Sequence, residues 1–391
     1  MTTTTTYDYV LVGGGLQSGL IALAVLHHRP DARLLLIERE RALGGNHTWS
    51  FHEGTVPEAA WPWFRPLVEH RWPRYRVRFP DLERVVEHPY ATCSSAHFER
   101  ILTTTLARHA GAELRLGAEV AAVAPDHVVL ADGARLDARL VVDARGPRST
   151  GEGVTRGTGY QKFVGLEVVV DADLDLSSCE LMDATVPQRD GFRFVYLLPF
   201  DRRRALVEDT RFASGPELDV DELCTEVHAW LGARGLSVVE IVRRESGVLP
   251  MPWRSAGPIP RQPPLVGGYR GGWFHPATGY SVPVALRLAC FVAERAPDEV
   301  FAGDAFDRLA TAHEAQARFG HLLNDLLFNA AEPAARWKVF RHFYELEDDL
   351  VLRFYGATLA PADKRRMFLR KPPPGVSFLK AAGIFARWGF R

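Results

Sequence analysis

Tyr9-Val-Leu-Val-Gly-Gly-Gly-Leu-Gln-Ser-Gly19, followed by Leu34-Leu-Leu-Ile-Glu38, reads as strand, glycine turn, helix, strand and acidic residue. The apolar run ends in Gly13, Gly14 and Gly15, so only backbone guards the start of the helix that Leu16 and Gln17 open. The bare N–H groups there and the helix dipole favour a pyrophosphate. Glu38 closes the second strand 25 positions after Gly13, where an acid accepts hydrogen bonds from an adenosine ribose. The third glycine of the Gly-x-Gly-x-x-Gly pattern falls at Ser18, with Gly19 one place late; serine is small enough to let the helix pack on the strand. The stretch predicts an α/β domain that holds a dinucleotide. By itself it leaves nicotinamide and flavin undecided.

The rest of the chain bounds what surrounds this unit. Its 391 residues are enough for two or three structural units and a large core. Hydrophobic content of 47% and charged content of 24% fit a folded soluble protein, and a net charge of −1 offers no bulk attraction to nucleic acid. Cys93, Cys179, Cys224 and Cys290 are widely spaced, which fits a reducing cytosol and neither zinc, any other metal, nor a disulfide framework. Met1–Thr6 lacks the basic and apolar regions of a signal sequence, and no apolar run reaches the length of a spanning helix.

Four regions are expected. Residues 1–158 form the first part of a dinucleotide domain, with Leu16, Leu20, Leu23 and Leu26 on one helical face and Asp132-Gly133 as a hairpin turn. Within it, residues 46–92 read as irregular and aromatic-rich, and Ser94 or Ser95 caps a helix carrying Phe98, Leu102 and Leu106. Arg139-Leu-Val-Val-Asp143 brings the chain back to the dinucleotide sheet, and Asp143 is placed at the cofactor. Residues 159–254 read as an antiparallel sheet domain with one covered face and a helix near Asp219–Arg234. Residues 255–302 return to the first domain, and 303–391 are mainly helical.

Two later segments favour FAD. Gly44-Gly45 lies just beyond Glu38, where chain passes close to a diphosphate or ribityl group. Gly267-Gly268 precedes Gly279-Tyr280-Ser281, where Ser281 is placed as an N-cap and Pro283 in the first helical turn. That sets a second positive helix end beside a buried ligand, suited to the O2 and N1 region of a flavin. A plain loop before a capped helix is the alternative reading of that segment alone.

Further stretches are more particular: Gly44-Gly-Asn-His-Thr-Trp-Ser-Phe51, Phe163-Val-Gly-Leu-Glu167, Met182-Asp183, Gly191-Phe-Arg-Phe-Val-Tyr-Leu-Leu-Pro199, Leu206-Val-Glu-Asp-Thr210 and Phe274-His-Pro-Ala-Thr-Gly-Tyr-Ser281. With Gly13–Leu20 they resemble the FAD-dependent bacterial lycopene beta-cyclases over nearly the whole chain. Plant members carry Phe-Leu-Glu-Glu-Thr where this chain has Leu206–Thr210, so the acid pair is kept. The resemblance implies a flavin-hydroxylase type of fold, with a Rossmann-like FAD domain and a sheet domain over the flavin. It also implies the activity, an intramolecular lyase (isomerase) reaction. The linear ends of lycopene close to beta-ionone rings, through gamma-carotene to beta-carotene, with reduced FAD and NADPH as its reductant.

Ring closure begins by protonating an isolated alkene, which needs an acid, a dry pocket and an electron-rich neighbour for the cation. The matched motif makes Glu208 that acid, because a carboxyl facing an apolar pocket stays protonated near neutral pH. Strand alternation puts Leu206, Glu208 and Thr210 on one face and Val207 and Asp209 on the other, so both acids reach one pocket only if the strand bulges or ends there. Asp209 is the second catalytic candidate, orienting Glu208 or its proton. Phe192, Phe194 and Tyr196 alternate along one strand and are expected to line the pocket; ordinary core aromatics would show the same pattern. His47 and His275 receive no proton-transfer role.

Lycopene and related linear carotenoids reside in membrane. Asp363–Arg391 carries eight Lys or Arg against one acid, interleaved with Met367, Phe368, Leu369, Phe378, Leu379, Ile384, Phe385, Trp388 and Phe390. That mixture suits an anionic surface and predicts a cytoplasmic protein bound peripherally to the cytoplasmic membrane. A terminal helix packed on the core is the alternative. Two other functions share the cofactor fold: a flavin-dependent monooxygenase or desaturase of a lipophilic isoprenoid, and a non-catalytic carotenoid-binding flavoprotein.

Overall fold

The computed structural model describes residues 6–146, 157–255, 257–368 and 372–389. Leu369 and Phe390, expected in a membrane-facing region, lie outside the described residues. Strands β1 (Tyr7–Val12) and β2 (Leu34–Glu38) flank helix α1 (Leu16–His28) and pair in parallel. β3 (Thr48–His52), β4 (His70–Trp72) and β7 (Tyr90–Ser94) make a small antiparallel sheet around the single turn α2 (Trp61–Phe64). β5 (Tyr75–Phe79) and β6 (Leu82–Val86) form a hairpin. α3 (Ser95–Ala107), capped by the Ser94 hydroxyl accepting from the His97 N–H, leads to β8 (Ala112–Leu116), β9 (Val120–Val123), β10 (His127–Leu130) and β11 (Arg135–Asp143).

The first sheet runs β8-β2-β1-β11-β10-β9, and β17 (Leu265–Val266) joins β11 in parallel. Its central strands β1 and β2 are mostly apolar because both faces are covered. Tyr9, Leu11, Leu34 and Leu36 face α1 and α5 (Val282–Ala293), whereas Val10, Val12, Leu35 and Ile37 face a second core closed by β9 and β10. Gly19 allows α1 to lie against α3, since a Cβ there would meet the Phe98 ring at 2.2 Å. The close-packing role of the missing third glycine thus falls one residue late, while Ser18 is wholly buried.

The second sheet is built from β12 (Thr158–Val170), β13 (Cys179–Asp183), β14 (Phe192–Pro199), β15 (Arg204–Ala213) and β16 (Val238–Pro252). Its order is β16-β12-β15-β14-β13-β5-β6. Every pair is antiparallel except β13 with β5. The region read as irregular therefore contributes strands, and the β5–β6 hairpin extends the second sheet from within residues 1–158. Val164, Leu166, Val168, Val195 and Val207 pack on α4 (Val220–Gly232). The opposite face meets the C-terminal helices α6 (Ala305–Asp325), α7 (Arg336–Phe343), α8 (Asp348–Tyr355) and α10 (Phe378–Trp388), and α9 (Pro361–Arg366) is held to α8 by the Arg353–Asp363 ion pair. No helix among the described residues is long and apolar enough to cross a membrane.

Candidate active site and cofactor cleft

Segments far apart in sequence line one cleft of about 830 Å3: Gly13–Gln17, Glu38, Gly44, Gly45, Gly268 and Ser281. Gly13 has φ +98°, and a Cβ on it would sit 2.7 Å from the Ala144 carbonyl oxygen. A Cβ on Gly15 would meet no protein atom within 4 Å, so glycine there leaves cleft space open. Glu38 accepts hydrogen bonds from the Gly14 N–H at 2.5 Å and the Glu40 N–H at 2.9 Å. The Gln17 amide donates to the Ala285 carbonyl at 3.1 Å, while its buried Oε1 has no partner among the described residues. A bare backbone turn, an orphaned amide oxygen and an acid at the far end fit a dinucleotide.

Three placements differ from expectation. Asp143 does not border the cleft: it is buried and ion-paired with Arg145 at 2.7 Å and Arg270 at 3.4 Å, and those arginines border it. Gly279 and Tyr280 line a neighbouring cavity instead. Ser281 occupies the N-cap position of α5, with Pro283 in the first turn, but its hydroxyl makes no capping bond.

That neighbouring cavity has a volume of about 310 Å3 and meets the cleft at His47, Trp49, Tyr269 and Ser281. Phe194, Tyr196, Phe212 and Phe340 supply its aromatic wall, and Glu208 lies on it. Burial pushes the Glu208 carboxyl up to about 8, with the neighbouring charge of Glu245 adding to the rise and a hydrogen bond from Thr210 opposing it. The Thr210 hydroxyl donates to Glu208 Oε1 at 2.5 Å. Glu208 is half-buried, and the face it shares with Tyr196 borders the cavity. The wall also carries Glu245, Thr48, Ser50, Gln161, several phenols and the His47 imidazole. Tyr90 and Tyr280 share a hydrogen bond of 2.6 Å, Tyr196 donates to Ser50 at 2.7 Å, and burial raises all three phenols. Burial also lowers His47, which holds its ring neutral.

Strand register explains which acid reaches the cavity. Tyr196 pairs with Glu208, Glu208 with Gly165, and Gly165 with Glu245, which sets one row across four strands. Asp209 belongs to the other face and is absent from the cavity wall. It is fully buried, accepting from Arg193 at 2.7 Å and Arg211 at 3.2 Å, and those arginines continue to Glu226 and Glu222 on α4. No bulge on β15 turns it inward, because its pairing with both neighbours is unbroken. Phe192 also misses the cavity; it is fully buried and stacks on Phe340 at 4.1 Å from behind. His275 is buried and accepts from the Ala277 N–H at 3.2 Å, holding a turn.

Glu245, Gly165, Thr48, Arg145 and Arg270 escaped the sequence reading. Gly165 stood inside a quoted motif, and period-two alternation put it in phase with Phe163 and Glu167. Nothing local couples Glu245 to Glu208, since their pairing passes through β12.

A larger apolar cavity of about 960 Å3 adjoins the small one at Ala277, Thr278, Phe340 and Tyr355. Leu327, Phe343, Phe354 and Phe368 line its middle, and Phe378, Ala382 and Phe385 of α10 line its outer wall. Phe378 and Leu379 remain 73% and 83% exposed, beside Lys380.

The family described as lycopene cyclase protein matches residues 8–381. A lycopene beta-cyclase of Pseudescherichia vulneris is 38% identical over 375 residues, covering 94% of each chain. Among solved structures, a geranylgeranyl bacteriochlorophyll reductase-like protein of Thermoplasma acidophilum shares the fold with a TM-score of 0.65 at 14% identity, covering 98% of this chain and 99% of its own. A probable FAD-dependent monooxygenase of Pseudomonas aeruginosa does so at 0.59 and 16%, covering 88% and 100%. The architecture is thus that of the flavin hydroxylases, and the chain belongs to the lycopene cyclase family.

Proposed function

We propose that the chain is a lycopene beta-cyclase, closing linear carotenoid ends to beta-ionone rings by acid catalysis with no net redox change. The carrying observation is Glu208: a carboxyl pushed up to about 8, on an aromatic cavity that adjoins a dinucleotide cleft. Its proton goes to the terminal alkene, and the neighbouring double bond attacks the resulting tertiary cation. Phe194, Tyr196, Phe212 and Phe340 exclude water that would trap the cation, and their ring faces attract it. FAD, bound along Gly13–Gln17, Glu38 and Gly268 and reduced by NADPH, would supply negative charge beside the cation. Asp209 acts at a distance, fixing the strand that carries Glu208. The Tyr280 and Gly279 segment shapes the passage between cleft and cavity.

The large apolar cavity has room for the remainder of the polyene while one end lies at Glu208. The exposed Phe378 and Leu379, with Lys380 and Arg387 on the same helix, suit docking on the cytoplasmic face of an anionic membrane. The test is anaerobic incubation of lycopene vesicles with FAD-loaded protein and a chemical reductant in deuterated water. One deuterium per new ring is expected, without stoichiometric use of reductant. Unchanged lycopene, or product formed only with matching consumption of NADPH and oxygen, would sink the reading and favour the monooxygenase.

A further inference from the structure

We infer that Glu245 is the base that removes the ring proton, and that Gly165 is the gap that lets it face the same cation as Glu208. The inference rests on the reading of Glu208 as the acid.

Glu208 and Glu245 flank Gly165 in register on adjacent strands, both on the cavity wall. Side chains two strands apart stand well separated on an ordinary sheet, and a side chain between them would screen one from the other. Here there is none. A Cβ on Gly165 would lie 2.9 Å from Glu245 Cγ, 3.2 Å from Leu206 Cδ1 and 3.3 Å from Glu245 Oε1, so Glu245 leans into that space beside the Leu206 methyl. Its Oε2 accepts from Thr48 at 2.9 Å and Arg243 at 2.6 Å, whereas its Oε1 accepts no hydrogen bond from any described residue. Arg243 also pairs with Glu167, which pairs in turn with Arg204, so the countercharge is anchored away from the cavity.

The two carboxyls therefore stand in unlike surroundings: Glu208 has one hydroxyl partner and no cation, and Glu245 has an arginine. Such a pair divides into acid and base. The groups facing them are Thr48, Arg243 and His47 on one side and Thr210, Tyr196, Tyr90 and Tyr280 on the other. Among these the phenols are held protonated by burial, which leaves them poor bases.

The step balances. The Glu208 O–H bond breaks as a C–H bond forms at the terminal alkene carbon, and the neighbouring π pair makes the ring C–C bond. A ring C–H bond then breaks, its electron pair becomes the ring double bond, and the proton goes to Glu245 Oε1. Exchange with solvent between ring closures, in which Glu245 releases that proton and the Glu208 carboxylate takes up a new one, restores both groups. Nothing is oxidised or reduced. The position of the base decides which ring carbon loses its proton, and hence where the double bond lies.

The test compares wild type, Glu245→Gln, Glu245→Asp and Glu208→Gln, all FAD-loaded, chemically reduced and given lycopene in vesicles, with flavin content confirming the fold. For Glu245→Gln we expect beta-ring formation to fall about 10²-fold, the typical worth of a positioned base. The residual product should carry misplaced ring double bonds or the alcohol from water capture. Glu245→Asp, which keeps the carboxylate, should recover part of the beta-ring yield, and Glu208→Gln should lose ring products of every kind together, by about 10²–10⁴-fold. Beta rings at the wild-type rate in Glu245→Gln would overturn the assignment. So would an equal loss of all products with an unchanged isomer, which is what a purely structural role predicts. Should Glu245→Gln fail to fold, Glu245→Ala takes its place, and beta rings at the wild-type rate with an unchanged isomer in it overturn the assignment. Failure of wild type to close rings overturns the cyclase reading beneath it.

Discussion

On the proposed mechanism Glu208 must hold a proton at working pH, and its surroundings favour this. Burial disfavours the charged form and Glu245 adds repulsion, so the carboxyl stays protonated up to about pH 8. The sign follows directly. Ring closure should be sustained at neutral pH and fall about tenfold per unit once pH exceeds that value, as the acid ionises. Glu208→Gln should lower the rate about 10²–10⁴-fold and abolish this limb, checked by pH–rate profiles on reduced protein. Asp209, one residue away, should behave differently. Asp209→Asn leaves Arg193, itself 1% exposed, short of its nearest countercharge. A loss of about 3–5 kcal/mol in urea unfolding is expected, with ring closure per folded molecule largely kept. A rate collapse without loss of stability would return Asp209 to the chemistry. The acid pair was legible as a pair. The division of labour within it followed from strand alternation, and pairing on both sides of β15 confirms that alternation.

At the scale of elements, the glycine turn with α1 and the hairpin at Asp132-Gly133 were readable because their signals are local: a φ, a helix start, a period. The short strands β3 to β7 were not, since each is stabilised by its partners more than by its own composition. The same holds for β5, whose parallel pairing with β13 joins residues about a hundred positions apart and leaves no trace in either segment. Helix α10 combines both cases. Its buried Ala381 and Ile384 face the molecule and Trp388 donates to Asp325 at 2.9 Å, so it is a packed terminal helix. Its first turn nonetheless leaves Leu379 exposed. Leu379→Glu should weaken sedimentation with anionic vesicles about 10-fold, by removing one apolar side chain from the lipid contact. Turnover of detergent-dispersed lycopene should persist. Unchanged vesicle binding would remove α10 from the membrane contact.

The whole molecule places three spaces in sequence: a polar cleft for a dinucleotide, a small aromatic cavity with one protonated acid, and a long apolar cavity reaching α10. The order matters for the chemistry. On the proposed mechanism, a cation formed at Glu208 would lie between the cleft and the apolar space, beneath the C-terminal helices that cover the second sheet. The sequence by itself determined the dinucleotide turn, the separate antiparallel sheet and the alternation that sets Glu208 and Asp209 on opposite faces. Those depend on spacing within one segment, where backbone geometry links residue number to direction. Only the tertiary structure decided that Asp143 holds arginines instead of lining the cleft, that Phe192 supports the aromatic wall from behind, and that Glu245 faces Glu208 across Gly165. Those depend on which strands pair and in what register, and register is set by packing of the whole sheet against α4 on one face and the C-terminal helices on the other.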